Sequence, residues 1–401
     1  MLDDLRRAAA DLLPDCVALR RRIHALPELG LDLPETQRAV LDALAGVDVE
    51  IATGGATSAV VATIHGARPG PTLLLRADMD ALPLREATGL PFASTRDGMM
   101  HACGHDAHVA MLAMATRLLA ARRADLAGTV RCVFQPGEEG HGGARILIEE
   151  GLLSREPRVD AAFAIHVDSA TPVGMIAGRP GPILAAADVV AIEVRGKGGH
   201  ASMPHLAVDP VPVACEMVLA LQLMITRRID VFDPAVLTIA RIRAGSAGNV
   251  IPSSASLMGT LRTVSEETRA TMHDGIRRVV AGIAAAHGVE AEAQVIRGYP
   301  VTINDDRFAA FAGDTARALV GDAHVHTMPA PVMGAEDFSY VLQQVPGALV
   351  FLGAKPMDGE SAPLHSDRMR IDESAFATGI ALHAAVALRF LEAGGTLQAV
   401  A

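Results

Sequence analysis

The chain has 401 residues, half of them hydrophobic, so it is long enough to form two or more domains with large cores. Its net charge of −11 argues against a surface that binds nucleic acid or an anionic membrane, because such a surface needs a basic patch. Its four cysteines are too few and too widely spread for a disulfide framework, which fits the reducing cytoplasm.

The N-terminal segment is predicted to be an amphipathic helix and not a secretory signal. Asp and Arg interrupt its apolar residues at helical spacing, and helices are predicted over 3–26 and 35–46. No run of about 18 uncharged apolar residues occurs, so we predict no membrane span. These patterns predict a soluble, cytoplasmic protein.

The next part of the chain alternates strands with a helix. Short β-like runs are followed by turns that carry charged residues, and a helix rich in Ala, Leu and Met lies between them. The predicted strands are 49–51, 58–64, 72–75, 128–134 and 159–165, and the predicted helix is 107–122. This alternation predicts an α/β domain with a mainly parallel sheet.

The middle of the chain has a different pattern, in the order β-α-β-β-α-β. Its strands are predicted at 189–194, 236–243, 254–263 and 290–298, and its helices at 208–229 and 265–287. That order is typical of a ferredoxin-like α+β domain. We therefore predict an inserted domain at 186–298 between two segments of a catalytic domain, 1–185 and 299–401. The last segment is predicted to hold helices near 305–320, 336–345 and 373–393 and a strand at 348–352.

One short stretch, Met100–His108, concentrates potential metal ligands. It contains three His, one Cys and one Asp, and Gly104 lets the backbone bend between Cys103 and His105. Thiolate, imidazole and carboxylate are ligands of zinc-like ions. The alternative is a helix start that happens to carry histidines, but so many ionisable groups favour a metal site.

Other potential ligands follow the predicted strands. They are Asp78 and Asp80, the pair Glu138–Glu139, and His166, with His365 as a further candidate. Ends of parallel strands collect residues from distant parts of a chain at one edge of the sheet. Of two adjacent glutamates, one can bind metal while the other transfers protons. Considered alone, a pair such as Glu138–Glu139 would more often lie on a solvated surface. Considered alone, His166 or His365 would more often be a hydrogen-bonded core residue.

Three residues of the inserted domain have both an ordinary and a functional interpretation. His200 follows a glycine-rich segment and would ordinarily be a loop residue. Asn249 follows Gly248, which most often means a turn, and Arg262 most often would be surface charge. The glycine runs near 140 and 196 match neither the P-loop nor the dinucleotide-binding pattern.

Seven segments together carry a family resemblance. They occur in the right order over about residues 15–390 and are RADMDALP (76–83), MHACGHDAH (100–108), QPGEEGHGGA (135–144), GKGGHASMPH (196–205), GNVIP (248–252), MGAEDFSY (333–340) and PLHS (363–366). The chain resembles the amidohydrolase branch of the aminoacylase/carboxypeptidase dinuclear metallopeptidase family, which includes hippurate hydrolases and plant auxin-conjugate hydrolases. The resemblance implies a two-domain α/β fold whose inserted ferredoxin-like domain is a dimerisation or lid domain.

The resemblance also implies a set of metal ligands. Cys103, His105, Glu139, His166 and His365 would hold two divalent ions. Mn²⁺ or Zn²⁺ is expected, with Co²⁺ and Ni²⁺ as alternatives, since the mixed ligand set does not choose between them.

Catalytic and substrate-binding roles follow from the same resemblance. Glu138 would be the general base, and Asp78 would orient a ligand. His200 would stabilise the oxyanion, reaching the site of a partner subunit. Asn249 and Arg262 would lie near the substrate carboxylate.

Two positions depart from the family pattern. His141 stands where Gly is usual, and Asp168 stands where an aromatic residue is common. Both are expected close to the site, so they bear on the acyl group that is preferred and not on the reaction.

We therefore expect a metal-dependent amidohydrolase that cleaves hippurate-like or N-acetyl amino acids to a carboxylic acid and a free amino acid. We also expect a homodimer formed through the inserted domain, or a higher oligomer. A dipeptidase or carboxypeptidase with the same metal chemistry is the alternative enzyme. A binding or metal-storage protein is a further alternative, which the pairing of Glu138 with Glu139 disfavours because storage needs no proton carrier beside a ligand.

Overall fold

A computed structural model of the protein describes residues 1–357 and 362–397. The chain divides into two compact units. The first unit contains Met1–Ile183, Ile303–Ala330 and the described residues from Tyr340 onward, and the second contains Leu184–Thr302 and Pro331–Ser339. The domain boundaries 186 and 298 stay predictions.

The helices and strands of the described residues are labelled in chain order. The α-helices are α1 (Leu2–Asp11), α2 (Leu13–His24), α3 (Pro34–Ala43), α4 (His105–Ala120), α5 (Gly143–Glu149), α6 (Pro210–Arg228), α7 (Glu266–His287), α8 (Asp306–Val320), α9 (Ser339–Leu342) and α10 (Phe376–Glu392). The strands are β1 (Glu50–Thr53), β2 (Val60–His65), β3 (Arg68–Asp78), β4 (Ala127–Gln135), β5 (Ala161–Asp168), β6 (Ile176–Gly178), β7 (Gly181–Leu184), β8 (Ala186–Arg195), β9 (Gly199–His200), β10 (Ala235–Ala244), β11 (Val250–Ile251), β12 (Ser254–Thr263), β13 (Glu290–Arg297), β14 (Thr302–Asn304), β15 (Val325–Thr327) and β16 (Gly347–Gly353).

Two predicted helices are wrong in extent. The single helix predicted over 3–26 is divided at Leu12 into α1 and α2, because Pro14 lacks the N–H that a continuous helix would donate. The helix predicted over 336–345 is reduced to α9. The Glu336 carboxylate accepts the Phe338 N–H at 2.9 Å and the Glu336 carbonyl accepts the Ser339 hydroxyl at 2.6 Å, so local hydrogen bonds replace the first helical turn.

The sheet of the first unit is mainly parallel, as predicted. Its strand order is β1-β2-β4-β3-β5-β16-β6-β15. The four central strands, β4, β3, β5 and β16, run parallel, whereas β2 and β6 are antiparallel to their central neighbours. Asp78 at the end of β3 lies opposite Gln135 at the end of β4. The turns that follow these strands therefore begin at the same edge of the sheet.

The core of the first unit depends on a close crossing of α4 and α10. Nearly every residue of α4 is buried, and its many alanines allow neighbouring elements to approach on all sides. A Cβ atom on Gly379 of α10 would lie only 2.2 Å from Met111 Sδ of α4. A side chain at this position would force Met111 to move, so the glycine allows the two helices to pack closely.

The second unit has the predicted ferredoxin-like arrangement. Its antiparallel sheet has the strand order β10-β12-β8-β13, and α6 and α7 are the helices of the β-α-β-β-α-β order. The Ser265 hydroxyl accepts the Thr268 N–H at the start of α7, and Gly288, with φ of +64°, ends it. Val190, Ile192 and Val194 of β8 alternate inward and pack in the core of this unit.

Among the described residues, two helical segments are long and apolar enough to cross a membrane, judged by length and composition alone: Pro210–Arg228, which is α6, and Glu373–Glu392, which contains α10. In the most apolar 18-residue stretch of Glu373–Glu392, 78% is buried, so α10 has the character of a core helix. In the corresponding stretch of α6 only 33% is buried. The absence of a membrane span stays a prediction.

Candidate active site

The first unit brings Cys103, His105 and His166 together in a buried group. Their ligand atoms lie within 4.8 Å of one another, and Cys103 Sγ is 3.5 Å from His166 Nε2. His166 lies near the end of β5, and Cys103 and His105 flank the glycine that precedes α4. Gly104 has φ of +83°, and a Cβ atom there would lie 2.4 Å from Val167 Cγ2. Glycine at this position therefore allows the two ligands to face β5.

A second group contains Cys103, Glu139 and His365, also with ligand atoms within 4.8 Å of one another. His365 Nε2 lies 3.3 Å from Glu139 Oε1, and 55% of the His365 side chain is exposed. His365 has φ of +66°, in a left-handed region that non-glycine residues seldom adopt, and its N–H donates to the Ala102 carbonyl at 2.8 Å. Such strain is found at functional sites more often than elsewhere.

A third group joins His105 to both adjacent glutamates, Glu138 and Glu139. Cys103 belongs to two of the three groups, and so do His105 and Glu139. The structure thus brings all five predicted metal ligands and Glu138 to one edge of the sheet, in overlapping groups that suit neighbouring ions.

The donor atoms of these groups fit a divalent ion. His105 Nε2 and Glu139 Oε1 are buried without a hydrogen-bond partner among the described residues, which is costly unless a ligand is present. Burial lowers the pKa of His166 to about 3, so its imidazole is neutral, the form that binds metal. Burial raises the pKa of the Cys103 thiol to about 12, and a nearby divalent ion would favour its thiolate.

Hydrogen bonds orient two of the imidazoles. His105 Nδ1 lies 2.8 Å from the Asp80 carbonyl, and His166 Nδ1 lies 2.7 Å from the Val167 carbonyl. A carbonyl can only accept, so each Nδ1 donates its proton to the carbonyl and each Nε2 is the ring nitrogen available to a metal ion. Histidines that bind metal are commonly held in this way.

Asp80 acts differently from the ligand-type residue that the sequence suggested. Its carboxylate accepts the backbone N–H of Glu138 at 2.8 Å and that of Glu139 at 2.9 Å. Asp80 belongs to none of the buried ligand groups of the first unit. Its carboxylate instead fixes the turn that presents both glutamates.

Asp78 is held among three basic side chains. Its Oδ1 accepts a hydrogen bond from His108 Nδ1 at 2.5 Å, its Oδ2 accepts one from Arg76 at 2.7 Å, and His105 Nε2 lies 3.6 Å from Oδ2. Burial would raise the pKa of Asp78, but Arg76, His105 and His108 together hold it well below the usual range. Asp78 is thus ionised beside His105.

His108 belongs to the same motif, but no role for it was predicted. Its Nε2 accepts the Val167 N–H at 2.8 Å, so its Nδ1–H must be the donor to Asp78. Both ring nitrogens are therefore used within the protein, which distinguishes His108 from His105. The contact with β5 shows what His108 binds.

A second buried network lies on the other side of the same helix start, and sequence reasoning missed it. Asp106 Oδ2 lies 2.7 Å from both Arg20 Nε and His24 Nδ1 of α2, and His24 Nε2 lies 3.2 Å from Glu86. Burial would raise the pKa of Asp106, but Arg20 and His24 hold it far below its usual range. The spacing of Arg20 and His24 by four residues on one helix was the available signal.

The two departures from the family pattern have ordinary surroundings. Asp168 accepts hydrogen bonds from the Ala170 N–H at 3.0 Å and from the Thr171 hydroxyl, so its carboxylate closes a turn. His141 is exposed, and its ring packs beside Gly30. Their influence on the acyl group stays a prediction.

The second unit places His200 beside Asn249 but far from Arg262. His200 pairs with Val250 across β9 and β11, and the Ala201 N–H donates to the Asn249 carbonyl at 3.1 Å. This pair lies near the start of β12, whereas Arg262 lies eight residues further along that strand. At about 3.4 Å per residue, roughly 27 Å separates Arg262 from the first residue of β12.

Comparison with known proteins gives one family over most of the chain. A model described as Peptidase family M20/M25/M40 matches residues 74–389. Thermostable carboxypeptidase 1 of Saccharolobus solfataricus is 38% identical over 97% of this chain and 99% of its own length. N-acetylcysteine deacetylase of Bacillus subtilis is 38% identical over 94% of this chain and 97% of its own length. IAA-amino acid hydrolase ILR1-like 2 of Arabidopsis thaliana is 38% identical over 94% of this chain and 85% of its own length.

A solved structure agrees with these relatives. A Bacillus subtilis protein described as a dinuclear metal binding peptidase from the M20 family is 35% identical, with a TM-score of 0.83. The similarity covers 96% of this chain and 99% of that chain.

Proposed function

The chain belongs to peptidase family M20/M25/M40 and is a metal-dependent amidohydrolase, and on this premise we propose that it cleaves N-acyl amino acids to a carboxylic acid and a free amino acid. The observation that carries the proposal is the overlap of three ligand groups around Cys103, His105 and Glu139, with Glu138 beside them. The similarity to N-acetylcysteine deacetylase and IAA-amino acid hydrolase ILR1-like 2 supports this substrate class.

Two divalent ions per chain are proposed, with Cys103, His105, Glu139, His166 and His365 as their ligands. Mn²⁺ or Zn²⁺ suits this set, with Co²⁺ and Ni²⁺ as alternatives. Bound there, such ions would polarise the amide carbonyl and lower the pKa of water toward about 7.

Glu138 is the proposed general base. Its side chain is buried, and its backbone N–H donates to the Asp80 carboxylate at 2.8 Å, which fixes the turn that presents Glu138 beside Glu139. Glu138 would accept the proton of the attacking water and deliver it to the leaving amine. The adjacent glutamates thus divide ligand binding and proton transfer between them.

His200 is the proposed donor to the oxyanion. Its Nδ1 accepts the Ser202 N–H at 3.1 Å, which leaves the proton of the neutral imidazole on Nε2. The ring is exposed, so this Nε2–H is available to a developing negative charge. Asp78 is proposed to orient a ligand, His105, through its negative charge 3.6 Å from Nε2 and not through a hydrogen bond.

Asn249 and Arg262 are the proposed groups for the substrate carboxylate. They lie toward opposite ends of β12, roughly 27 Å apart at the spacing of an extended strand, which is too far for both to touch one small substrate within a single second unit. They can serve one site if His200 and Asn249 come from one subunit and Arg262 from its partner. This separation supports a homodimer with shared sites.

The second unit also has apolar surface that a dimer would cover. Leu219 and Leu223 on α6 are 72% and 62% exposed, and Val236 and Ile242 on the edge strand β10 are 45% and 49% exposed. Exposed apolar rows and open sheet edges are typical of association surfaces. The acidic chain and its four free cysteines support a cytoplasmic location.

A dipeptidase or carboxypeptidase is the second candidate, and the carboxypeptidase named among the relatives favours it. The test is hydrolysis by the Mn²⁺-loaded protein of benzoyl-glycine, a panel of N-acetyl amino acids, their C-terminal amides, and unblocked dipeptides. We expect rapid cleavage of the N-acyl acids and slow cleavage of the amides, because Arg262 would bind a free carboxylate through two hydrogen bonds. Preferential cleavage of unblocked dipeptides would instead select the peptidase.

A further inference from the structure

The first unit contains a cavity away from the metal-ligand groups. Its volume is about 290 Å³, and its floor is apolar, formed by Phe163, Ile176, Val350 and Leu382. No proposed metal ligand lines it. The volume is close to the lower end of small-molecule sites, about 300 Å³, and suits a ligand the size of an amino acid.

The cavity exists because the sheet opens at β6. β6 pairs with β16 only through Ile176 and Ala177, after which the two strands separate. The buried Asn304 side chain takes the place of the missing strand partner, since its amide donates to the Leu349 carbonyl at 3.0 Å and accepts the Leu349 N–H at 2.8 Å. The backbone N–H and C=O of Leu349 in β16 are thus hydrogen-bonded without a neighbouring strand, and space is left beside β16.

Small residues of α8 keep this space open. Ala309, Ala312 and Gly313 face the cavity, and larger side chains there would fill it. Protein interiors contain few voids larger than a water molecule, so a space of this volume is a candidate binding site.

The mouth of the cavity carries charges of both signs. Arg179 and Arg317 lie on it, as does the exposed carboxylate of Asp306. Among the described residues, the Arg179 guanidinium donates only to the neighbouring Pro180 carbonyl, at 3.3 Å. Arg317 is bound to Asp314 on the outer face of the helix at 2.8 Å, a surface pair of little strength.

We propose that this cavity is a second binding site, for a free amino acid with an apolar side chain. The side chain would occupy the apolar floor, the α-carboxylate would bind Arg179 and Arg317, and the α-ammonium group would bind Asp306. A free amino acid is also the amine product of the proposed reaction, but the site requires no metal and no catalysis.

The cavity also lies beside two of the four places where the chain passes from one unit to the other. Arg179 precedes the exit after Ile183, and Asn304 follows the return at Ile303. The Asn304 amide donates to the Arg179 carbonyl at 2.9 Å, which ties these two segments together. A bound amino acid would hold both segments, so slower amide exchange is expected over 176–183 and 303–306.

The test is titration of metal-free protein with L-leucine, followed by calorimetry and amide exchange. Removing the metal separates this site from product binding at the proposed active site. We expect saturable binding of one leucine per chain, with weaker binding of leucinamide, which lacks the carboxylate, and of N-acetyl-leucine, which lacks the ammonium group.

Variants locate the binding. Ala309→Phe fills the cavity and Arg179→Met removes a cation, and each should weaken leucine binding by at least about tenfold. Ala318→Phe, on the exposed face of the same helix, is the matched control and should bind as the wild type does. Melting temperatures show that each variant is folded. Absence of saturable binding at millimolar leucine, or undiminished binding by folded Ala309→Phe or folded Arg179→Met, would overturn the proposal.

Discussion

The Asp106 carboxylate and His24 Nδ1 form a buried contact of 2.7 Å directly behind the residues proposed to bind metal. Asp106 follows His105 in the chain, and His24 belongs to α2, so the contact ties the start of α4 to a neighbouring helix. The proposed ligands are therefore supported from the side of the loop that faces away from the metal groups.

Asp106→Asn is predicted to weaken metal binding while the chain still folds. Loss of the carboxylate leaves Arg20 and His24 without their buried partner, and breaking a buried ion pair costs about 3–5 kcal/mol. We expect a lower melting temperature, and in the folded Co²⁺-loaded variant a weaker thiolate-to-cobalt absorption from Cys103. Asp15→Asn, which removes an exposed pair with Arg117, is the control. Normal absorption and affinity in folded Asp106→Asn would limit Asp106 to a role in stability.

The adjacent glutamates are predicted to fail in different ways. Glu138→Gln should retain both ions but lose about 10²–10⁴-fold in kcat, the usual contribution of a general base. Glu139→Gln should lose bound metal, because its buried Oε1 is a proposed ligand atom. Elemental analysis of both variants beside kcat separates the roles, and the reverse pattern would mean that base and ligand are exchanged.

The stability of the second unit is predicted to fall in acid through Asp188. Burial would raise the pKa of Asp188, but hydrogen bonds from Arg269 at 2.5 Å and His273 at 2.5 Å lower it below the ordinary value of 3.8. A carboxylate whose folded pKa is lowered stabilises the fold fully above its unfolded pKa, and this contribution is lost as the pH falls toward the folded value.

Asp188→Asn should therefore lower the melting temperature most at neutral pH and progressively less as the pH falls below about 4. Asp274→Asn, which removes an exposed contact with Arg277 on the same helix as Arg269, is the control and should have little effect. A destabilisation by Asp188→Asn that is independent of pH would show that the ionised form is not what stabilises the unit.

Shared active sites predict complementation between inactive variants. His200→Ala and Glu138→Ala should each be inactive alone. After subunit exchange at equal mixing, half of the dimers would be mixed, and each mixed dimer would have one intact site, so about a quarter of wild-type activity should return. If exchange is demonstrated by mass labelling and no activity returns, His200 serves the site of its own chain.

The family, the α/β architecture and the amidohydrolase activity predicted from the motifs are confirmed. Local spacing was sufficient to predict that the side chains of Cys103 and His105 lie close together, because both residues flank one glycine. The role of Asp80 was not accessible, because it depends on backbone amides that lie 58 and 59 residues further along the chain. The partners of Asp106 were missed for the same reason, since α2 meets α4 only in the folded chain.

The ends of two helices were also predicted incorrectly from the sequence. The apolar periodicity continues through Leu12, so the pattern alone predicted one long helix where Pro14 imposes two. At 336–345 the periodicity indicated a helix, but the Glu336 carboxylate and carbonyl bind nearby groups of the chain instead. In both places local backbone hydrogen bonding, and not the hydrophobic pattern, determines where the helix begins or ends.

The most direct test of the metal-dependent mechanism is a titration of chelator-stripped protein with Mn²⁺ and, separately, Zn²⁺. Bound metal per chain and the rate of N-acyl amino acid hydrolysis are measured at each step. We predict no activity without metal and a plateau at about two ions per chain, as expected for a two-metal site. Full hydrolysis by protein that elemental analysis shows to be metal-free would contradict the mechanism, and metal binding without N-acyl amino acid hydrolysis would contradict the proposed substrate class.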